Sequence, residues 1–485
     1  MKKYILAFAT LALLLSCGKE QPKQEETPPE VTVCTDAPIL MSSSAKPVLG
    51  TAGSIYVTRV SDGKVVDRID LADLSGVTVR DDGQMIPKEQ ITSETVFNTF
   101  HDALYSGGRY RAVHYTPLRA TDKGLEIKLH SGVLDYGTEY KVTVDAGVIQ
   151  GLSNAWETTF KTRARPETTS ELKVNPNGEG DFCTINGALK FASSLGKSEA
   201  VTILVAPGTY PEMLYLRDKE NVTIKGTGKR SQSVIAYANN ESYENGSGGA
   251  LTAKPATGKK IGTSGGRALF LVENCNNLTL ENLTIRNTFG ELKGQAETIY
   301  FNSGSNAHRL NIENCELWSF QDTFLCKGLV YVHKSLIAGH CDYVWGYPKA
   351  CLFEDCEIRS LADGYIVQAR IQGAGDKGFV FLNCRLTAGS GVQDGKVYLA
   401  RSGGDSNYYD NVTFIGCTMY PIISSQGWYN SPRPNPSMPN ATSGWKEYGS
   451  KDSSGNPIYG HNSYGIYLTD DTAKAFSSKE AVLGI

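Results

Sequence analysis

The sequence predicts an all-β chain in which a small β-sandwich precedes a right-handed parallel β-helix. Short Val/Ile/Thr/Phe runs recur along the 485 residues with 50 glycines and few stretches of helical periodicity, a β-rich signature. Four similar segments, "IENCELWS", "FEDCEIRS", "FLNCRLTA" and "FIGCTMYP", carry Cys315, Cys356, Cys384 and Cys417 at matching places. Aligning "VYVHKSLIAG" with them adds Ser335 to the column and gives intervals of 20, 21, 28 and 33 residues. Repeats of this length cannot bury a core alone; they stack as coils of a solenoid, the longer intervals being loops. The length also exceeds one ordinary core, so a second unit is expected.

The elements follow in chain order. Lys2 and Lys3 precede an apolar run, Tyr4 to Leu15, too short to span a bilayer as a mature helix. It reads as an export signal, and Leu14-Leu15-Ser16-Cys17 resembles the lipobox of bacterial lipoproteins, which implies lipidation of Cys17. The expected location is the outer membrane, lipid-anchored, on its cell-surface or periplasmic face. Residues 18–31, rich in Pro and Glu, read as a flexible tether.

Residues 32–162 hold strand-like segments at short intervals, "GSIYVTRV", "GLEIKLH", "YKVTVDAGVI" and "WETTFKT", which suggest a small β-sandwich. It resembles bacterial Ig-like modules and shows no titratable cluster, so it reads as a spacer or docking module. Residues 163–170 read as a linker. From Glu171 to Ile485 the β-helix is expected, opened by one short amphipathic helix with Ile185, Ala188, Leu189 and Ala192 on its apolar face. Cysteines in register on repeated strands read as stacked core residues rather than bridges.

Two carboxylates stand out. Asp322 and Asp342 are 20 residues apart, one local coil, so they fall at equivalent places on neighbouring coils. Adjacent strands lie about 4.8 Å apart. Like charges so close, partly desolvated amid Trp318, Phe320, Tyr343 and Trp345, cannot both ionise freely, and one acid and one base result. The bland alternative is a pair of solvated turn formers.

At these residues a family resemblance emerges. "SFQDTFL" and "GHCDYVWG" resemble the GYQDTLY and GTVDFIFG motifs of pectin methylesterases, carbohydrate esterases of family 8. "VNPNGEGDFCTINGAL", "GQAETIYF" (for QAVAL), "YIVQAR" (for ITAQGR), "YLARS" (for YLGRPW) and "GW" at Gly427-Trp428 keep the family's order. The resemblance implies that Asp342 is a nucleophile on the C6 carbonyl of a galacturonate methyl ester. It implies that Asp322 is the general acid and then base, that Gln295 and Gln321 are oxyanion donors, and that Arg401 is the partner of Asp342. Tyr343, Trp345 and Trp428 suit stacking on sugar rings, or alternatively core packing.

One departure concerns the cleft: Ser402-Gly403 stand where the family has Pro-Trp, so a cleft tryptophan is absent. With the long Gly-rich insertion of residues 237–266, this suggests a branched or short pectic oligosaccharide as substrate. Within that insertion Gly262 to Gly266 matches G-x-S-x-G, but without the strand before and helix after that the motif needs.

The competing functions are a β-helical lyase or polygalacturonase, which fold alone does not exclude, and a pectin-binding surface lipoprotein with a degenerate site. The Gln pair suits an ester. No metal or organic cofactor is implied, since the 7 histidines show no ligand spacing. Lys plus Arg (48) nearly balances Asp plus Glu (51), with no basic run, which argues against nucleic acid. The expected partners are methyl-esterified pectin and, through Cys17, a membrane, with the chain acting as a monomer.

Overall fold

The computed structural model describes residues 32–71, 78–79, 85–86, 100–241, 247–248, 266–290 and 294–485. The export signal with Cys17, the tether, and Gly262, Thr263, Ser264 and Gly265 of the G-x-S-x-G match lie outside the described residues. Among the described residues no helix is long and apolar enough to cross a membrane.

The N-terminal unit is two facing sheets. Thr32–Val33, Trp156–Thr162, Glu139–Val144, Ser54–Arg59 and Val65–Asp70 form one in that order; Ile39–Ser42, Gly124–Ile127 and Leu118–Thr121 form the other. Alternation along the strands sends Val57, Tyr140, Val142 and Val144 from one sheet and Ile39, Leu125 and Ile127 from the other into a shared core. A separate hairpin, Phe100–Ser106 with Arg109–Tyr115, turns at Gly107 and Gly108, both at positive φ, where glycine carries no Cβ penalty. This hairpin joins neither sheet. Its Leu104 and Val113 pack instead on Met213, Tyr215 and Leu271 of the β-helix.

The junction between the two units is closely bonded. Asp36 accepts hydrogen bonds from the backbone N–H of Cys183 and Thr184 and from the Thr184 hydroxyl. Thr184 in turn caps the helix Ile185–Ser193 by accepting from Gly187. Arg163, at the start of the expected linker, donates to the carbonyls of Gly178 and Gly180.

From Glu171 the chain winds as a right-handed parallel β-helix with one continuous interior core. Three faces are present. Two merge into a 17-stranded parallel sheet because Phe324–His333 and Val344–Glu354 run round the corner between them, and the third is a 9-stranded parallel sheet. One corner is turned by single residues at positive φ, Asn282, Asn314, Lys334, Asp355 and Asn383. Asn and Asp tolerate that conformation best after glycine, and Asn314 donates to Asn282 on the coil before it at 2.7 Å.

The residue after each of these corners points inward. Cys315, Cys356 and Cys384 are buried there as free thiols, as is Cys417 after the corresponding corner at Gly416, and Ser335 fills the same column, its Oγ accepting from the Cys315 N–H. The ladder Phe353, Phe381, Phe414 stacks beside it with centroids 4.8 and 4.5 Å apart. Each such contact contributes about 0.5–1.5 kcal/mol beyond burial. A register shift between Gly328 and Leu329, opposite Pro348 and Ala350, inserts one residue and accounts for the change of interval from 20 to 21.

Candidate active site

Asp322 and Asp342 are both corner residues at positive φ, 63° and 49°. Parallel pairing of Phe324 with Val344 sets them in register on consecutive coils, and the Asp322 N–H donates to the Cys341 carbonyl at 3.1 Å. Both are turn residues, but they are buried rather than solvated, and each carboxylate is hydrogen-bonded to an arginine. Behind them a column of buried threonines holds the strand starts, Thr298 Oγ1 donating to Thr323 O and Thr323 Oγ1 to Ala338 O.

Asp342 is 4% exposed and held on three points. Arg401 Nε donates to its Oδ1 at 2.8 Å, Arg401 Nη2 donates to its Oδ2, and Gln368 Nε2 donates to the same Oδ2 at 2.9 Å. The Gln368 Oε1 is itself occupied by Arg370, which donates from Nε and Nη2 at 3.1 and 2.7 Å. A guanidinium can only donate, so it forces the Gln368 amide nitrogen toward Asp342.

Asp322 is 3% exposed, and Arg267 Nη2 donates to its Oδ2 at 3.1 Å. Its carboxyl is pushed well above the ordinary carboxylate range, first by burial, then by Glu297, with Arg267 opposing and Asp342 contributing less. Of the two causes the sequence suggests, partial desolvation and like charge, desolvation leads, and Glu297 contributes more than Asp342.

Glu297 is fully buried and is pushed up to about 7, again chiefly by burial, with Arg267 opposing. It stands where QAVAL has valine, and Arg267 grips it through Nε at 2.9 and 3.0 Å. Gln295 and Gln321 pair with each other as an isolated parallel bridge between consecutive coils. The Gln295 Oε1 accepts from Arg267 Nη1 at 2.5 Å, so its amide N–H groups face away from the guanidinium.

Two expected sugar contacts are corrected. Tyr343 is 0% exposed; it turns into the coil interior, where its hydroxyl meets Ser360 Oγ at 3.0 Å. It fits because Gly339 lies against it: a Cβ on Gly339 would come within 2.2 Å of the Tyr343 Cβ. Trp428 is also 0% exposed, stacked on Trp445 at 5.2 Å and donating to Glu447 Oε1 at 2.7 Å. Strand alternation puts its neighbour Tyr429 beside Arg401 instead, in an aromatic group with Tyr365 and Tyr398 at 4.9 and 5.1 Å. Trp345 is on the outer side of the coil but 6% exposed, packed against Tyr300 and Leu325 with the Arg267 and Arg370 guanidinium groups over its ring. Only its edge reaches a groove of about 560 Å³ that Tyr300, Lys327, Tyr347 and Tyr408 also line.

Sequence reasoning did not single out Gln368, Arg370, Arg267 or Glu297. The first two lie inside the quoted "YIVQAR", two residues apart on one side of a strand. A signal for Glu297 was a charge in an otherwise apolar strand approach, "AETIYF". The glycine pair in "LYSGGRYR" marked the hairpin.

A solenoid face that fastens one carboxylate with an arginine, raises the proton affinity of a second carboxyl beside it by burial and carries two glutamines on the adjoining coils suits acyl transfer from an ester. The class is that of carboxylic ester hydrolases. Comparison with known proteins narrows it: the pectinesterase profile matches residues 171–482, well over half of the 485 residues, and the chain belongs to the pectinesterase family. Pectinesterase 31 of Arabidopsis thaliana is 29% identical over 266 residues, 54% of this chain and 78% of that protein. Longer Arabidopsis relatives are matched over 43% and 64% of their length.

Among solved structures, a pectin methylesterase in complex with a hexasaccharide aligns with a TM-score of 0.52 at 22% identity, over 65% of this chain and 98% of that one. The carrot pectin methylesterase gives 0.52 at 18% identity, over 66% and 94%. At these identities the likeness is one of fold.

Proposed function

We propose that the chain hydrolyses methyl esters of galacturonate residues in pectin and releases methanol. Asp342 attacks the ester carbonyl; the tetrahedral oxyanion accepts hydrogen bonds from the Gln295 and Gln321 amides. Collapse breaks the C–O bond to the methoxy group, which takes its proton from Asp322, leaving an acyl anhydride on Asp342. Asp322, now a carboxylate, takes a proton from water, which attacks the anhydride and frees the galacturonate carboxylate and Asp342.

The observation that carries this reading is the unequal environment of two carboxyl groups in register: Asp342 fastened by Arg401 and Gln368, Asp322 raised by burial. The groove lined by Tyr300, Tyr347 and Tyr408, which Trp345 backs, is the face offered to sugar rings, in place of Tyr343 and Trp428. The small Gly403, where the family has tryptophan, supports a cleft that takes a branched or short oligosaccharide. In the same reading Cys17 is lipidated, residues 18–31 tether the protein to the outer membrane, and residues 32–162 form an Ig-like module.

The test is methanol release from methyl-esterified pectin by protein lacking residues 1–17, beside Asp322→Asn and Asp342→Asn. Release by the parent that is lost in both variants supports the reading. Binding of pectin without methanol release by the parent would replace it with a surface lectin. A panel of methylated substrates on which long linear pectin is the best one would overturn the substrate preference.

A further inference from the structure

The N-terminal hairpin reaches the backbone that carries Arg267. Arg111, in the strand Arg109–Tyr115, is 0% exposed and its guanidinium enters the β-helix. It donates from Nη1 to the carbonyls of Leu214 and Leu269 at 2.6 and 3.0 Å, and from Nη2 to those of Gly266, at 3.1 Å, and Ala268. The last two carbonyls flank Arg267. Asn239 Nδ2 donates to the same pair at 3.1 and 3.3 Å, while its Oδ1 meets His114 Nε2 of the hairpin at 3.3 Å.

With the peptide groups on either side of it pinned, Arg267 has its Cα–Cβ direction set. Its side chain then serves four acceptors: Glu297, Glu241, Gln295 and Asp322. Two of these are the acid and an oxyanion donor of the proposed reaction. Three carboxyl groups around one guanidinium leave an excess of negative charge if all ionise, a reason for Asp322 to hold its proton.

We infer that Arg267 is a positioning residue for Asp322 and Gln295, and that the N-terminal unit, through Arg111, is a working part of the active site rather than a spacer. The inference rests on the esterase reading for its kinetic consequences and on geometry alone for its structural ones. Arg111 touches no reacting atom and acts through the Gly266–Ala268 backbone. Arg267 acts through Asp322, whose proton affinity it lowers, and through Gln295, whose amide it orients.

The experiment compares Arg111→Ala, Arg111→Lys, Arg267→Gln, the double variant Arg111→Ala/Arg267→Gln and the control Arg119→Ala, which breaks only a pair with Glu126 inside the N-terminal unit. Two readouts are taken below the melting temperature of each variant: the pH profiles of kcat and KM for methanol release, and the titration of the Asp322 carboxyl by carbon-13 NMR, assigned with Asp322→Asn. Arg267→Gln is expected to lower kcat about 10- to 100-fold with KM little changed. It is also expected to raise the Asp322 midpoint by about a unit or more.

Arg111→Ala is expected to lower kcat about tenfold and to raise the same midpoint in part, with Arg111→Lys intermediate and Arg119→Ala like the parent. The double variant is expected to lose no more than Arg267→Gln alone, since both act on one path. An Arg111→Ala protein that melts earlier but keeps the parental Asp322 midpoint would overturn the inference. If the parent releases no methanol, the esterase reading fails, and the NMR midpoints alone decide the inference.

Discussion

The grip of Arg401 on Asp342 sets a graded expectation. Arg401 contacts both carboxylate oxygens, Nε on Oδ1 at 2.8 Å and Nη2 on Oδ2, while Gln368 holds Oδ2 independently. Lysine in place of Arg401 keeps the charge but offers a point donor instead of a planar fork, so one charge-assisted hydrogen bond is lost. Such a bond is worth about 1.5–3 kcal/mol, which is about a 10- to 150-fold fall in kcat/KM.

Methionine in place of Arg401 removes the charge as well and leaves a 4%-exposed carboxylate without its ion partner. That loss is about 3–5 kcal/mol, or about 150- to 5,000-fold. Initial rates of methanol release at several pectin concentrations measure both. Arg401→Lys with parental kcat/KM, or two variants equal in loss, would refute the idea that the two-point geometry orients the nucleophile.

Other expectations follow from the same geometry. Glu297→Gln removes a like charge that raises Asp322 while keeping an acceptor for Arg267; Asp322 then loses its proton at lower pH, and the alkaline limb of the kcat profile is expected to move down. Asp322→Asn is expected to stabilise the fold. A carboxyl raised in the folded state contributes stability that is fully present below its unfolded value of 3.8 and is lost as pH rises through the folded value. Each pK unit is worth about 1.4 kcal/mol, so the melting temperature of Asp322→Asn should exceed the parent's at pH 7 and converge with it toward pH 4. Trp428→Ala is expected to cost about 3–5 kcal/mol of stability in a denaturant melt, whereas Tyr429→Ala is expected to change KM with stability nearly kept.

The solenoid was legible because its signal is periodic. The cysteine column, the strand alternation and the corner Asn and Asp residues repeat at the coil length, and parallel stacking converts sequence interval directly into spatial register. The pairing of Asp322 with Asp342 followed from that arithmetic alone, and the family motifs assigned roles to Gln295, Gln321 and Arg401. What periodicity does not encode is which way an individual side chain faces where the coil turns a corner. Tyr343 and Trp428 lie beside site residues in sequence, yet both point into the core, and Tyr429 takes the outward place.

The tertiary structure decided the remainder. Arg267, Glu297 and Arg111 come together from three segments separated by loops of irregular length, so no interval announced them. Arg111 in particular comes from a hairpin 156 residues before Arg267 (267 − 111), and only the docking of the N-terminal unit brings its guanidinium to the Gly266 and Ala268 carbonyls. The sequence by itself determined the coil, the register and the pair of carboxylates, because these are local and repeated. The raised proton affinity of Asp322 and the fastening of Asp342 depended on burial and on charges brought from distant coils, which are properties of the packed molecule.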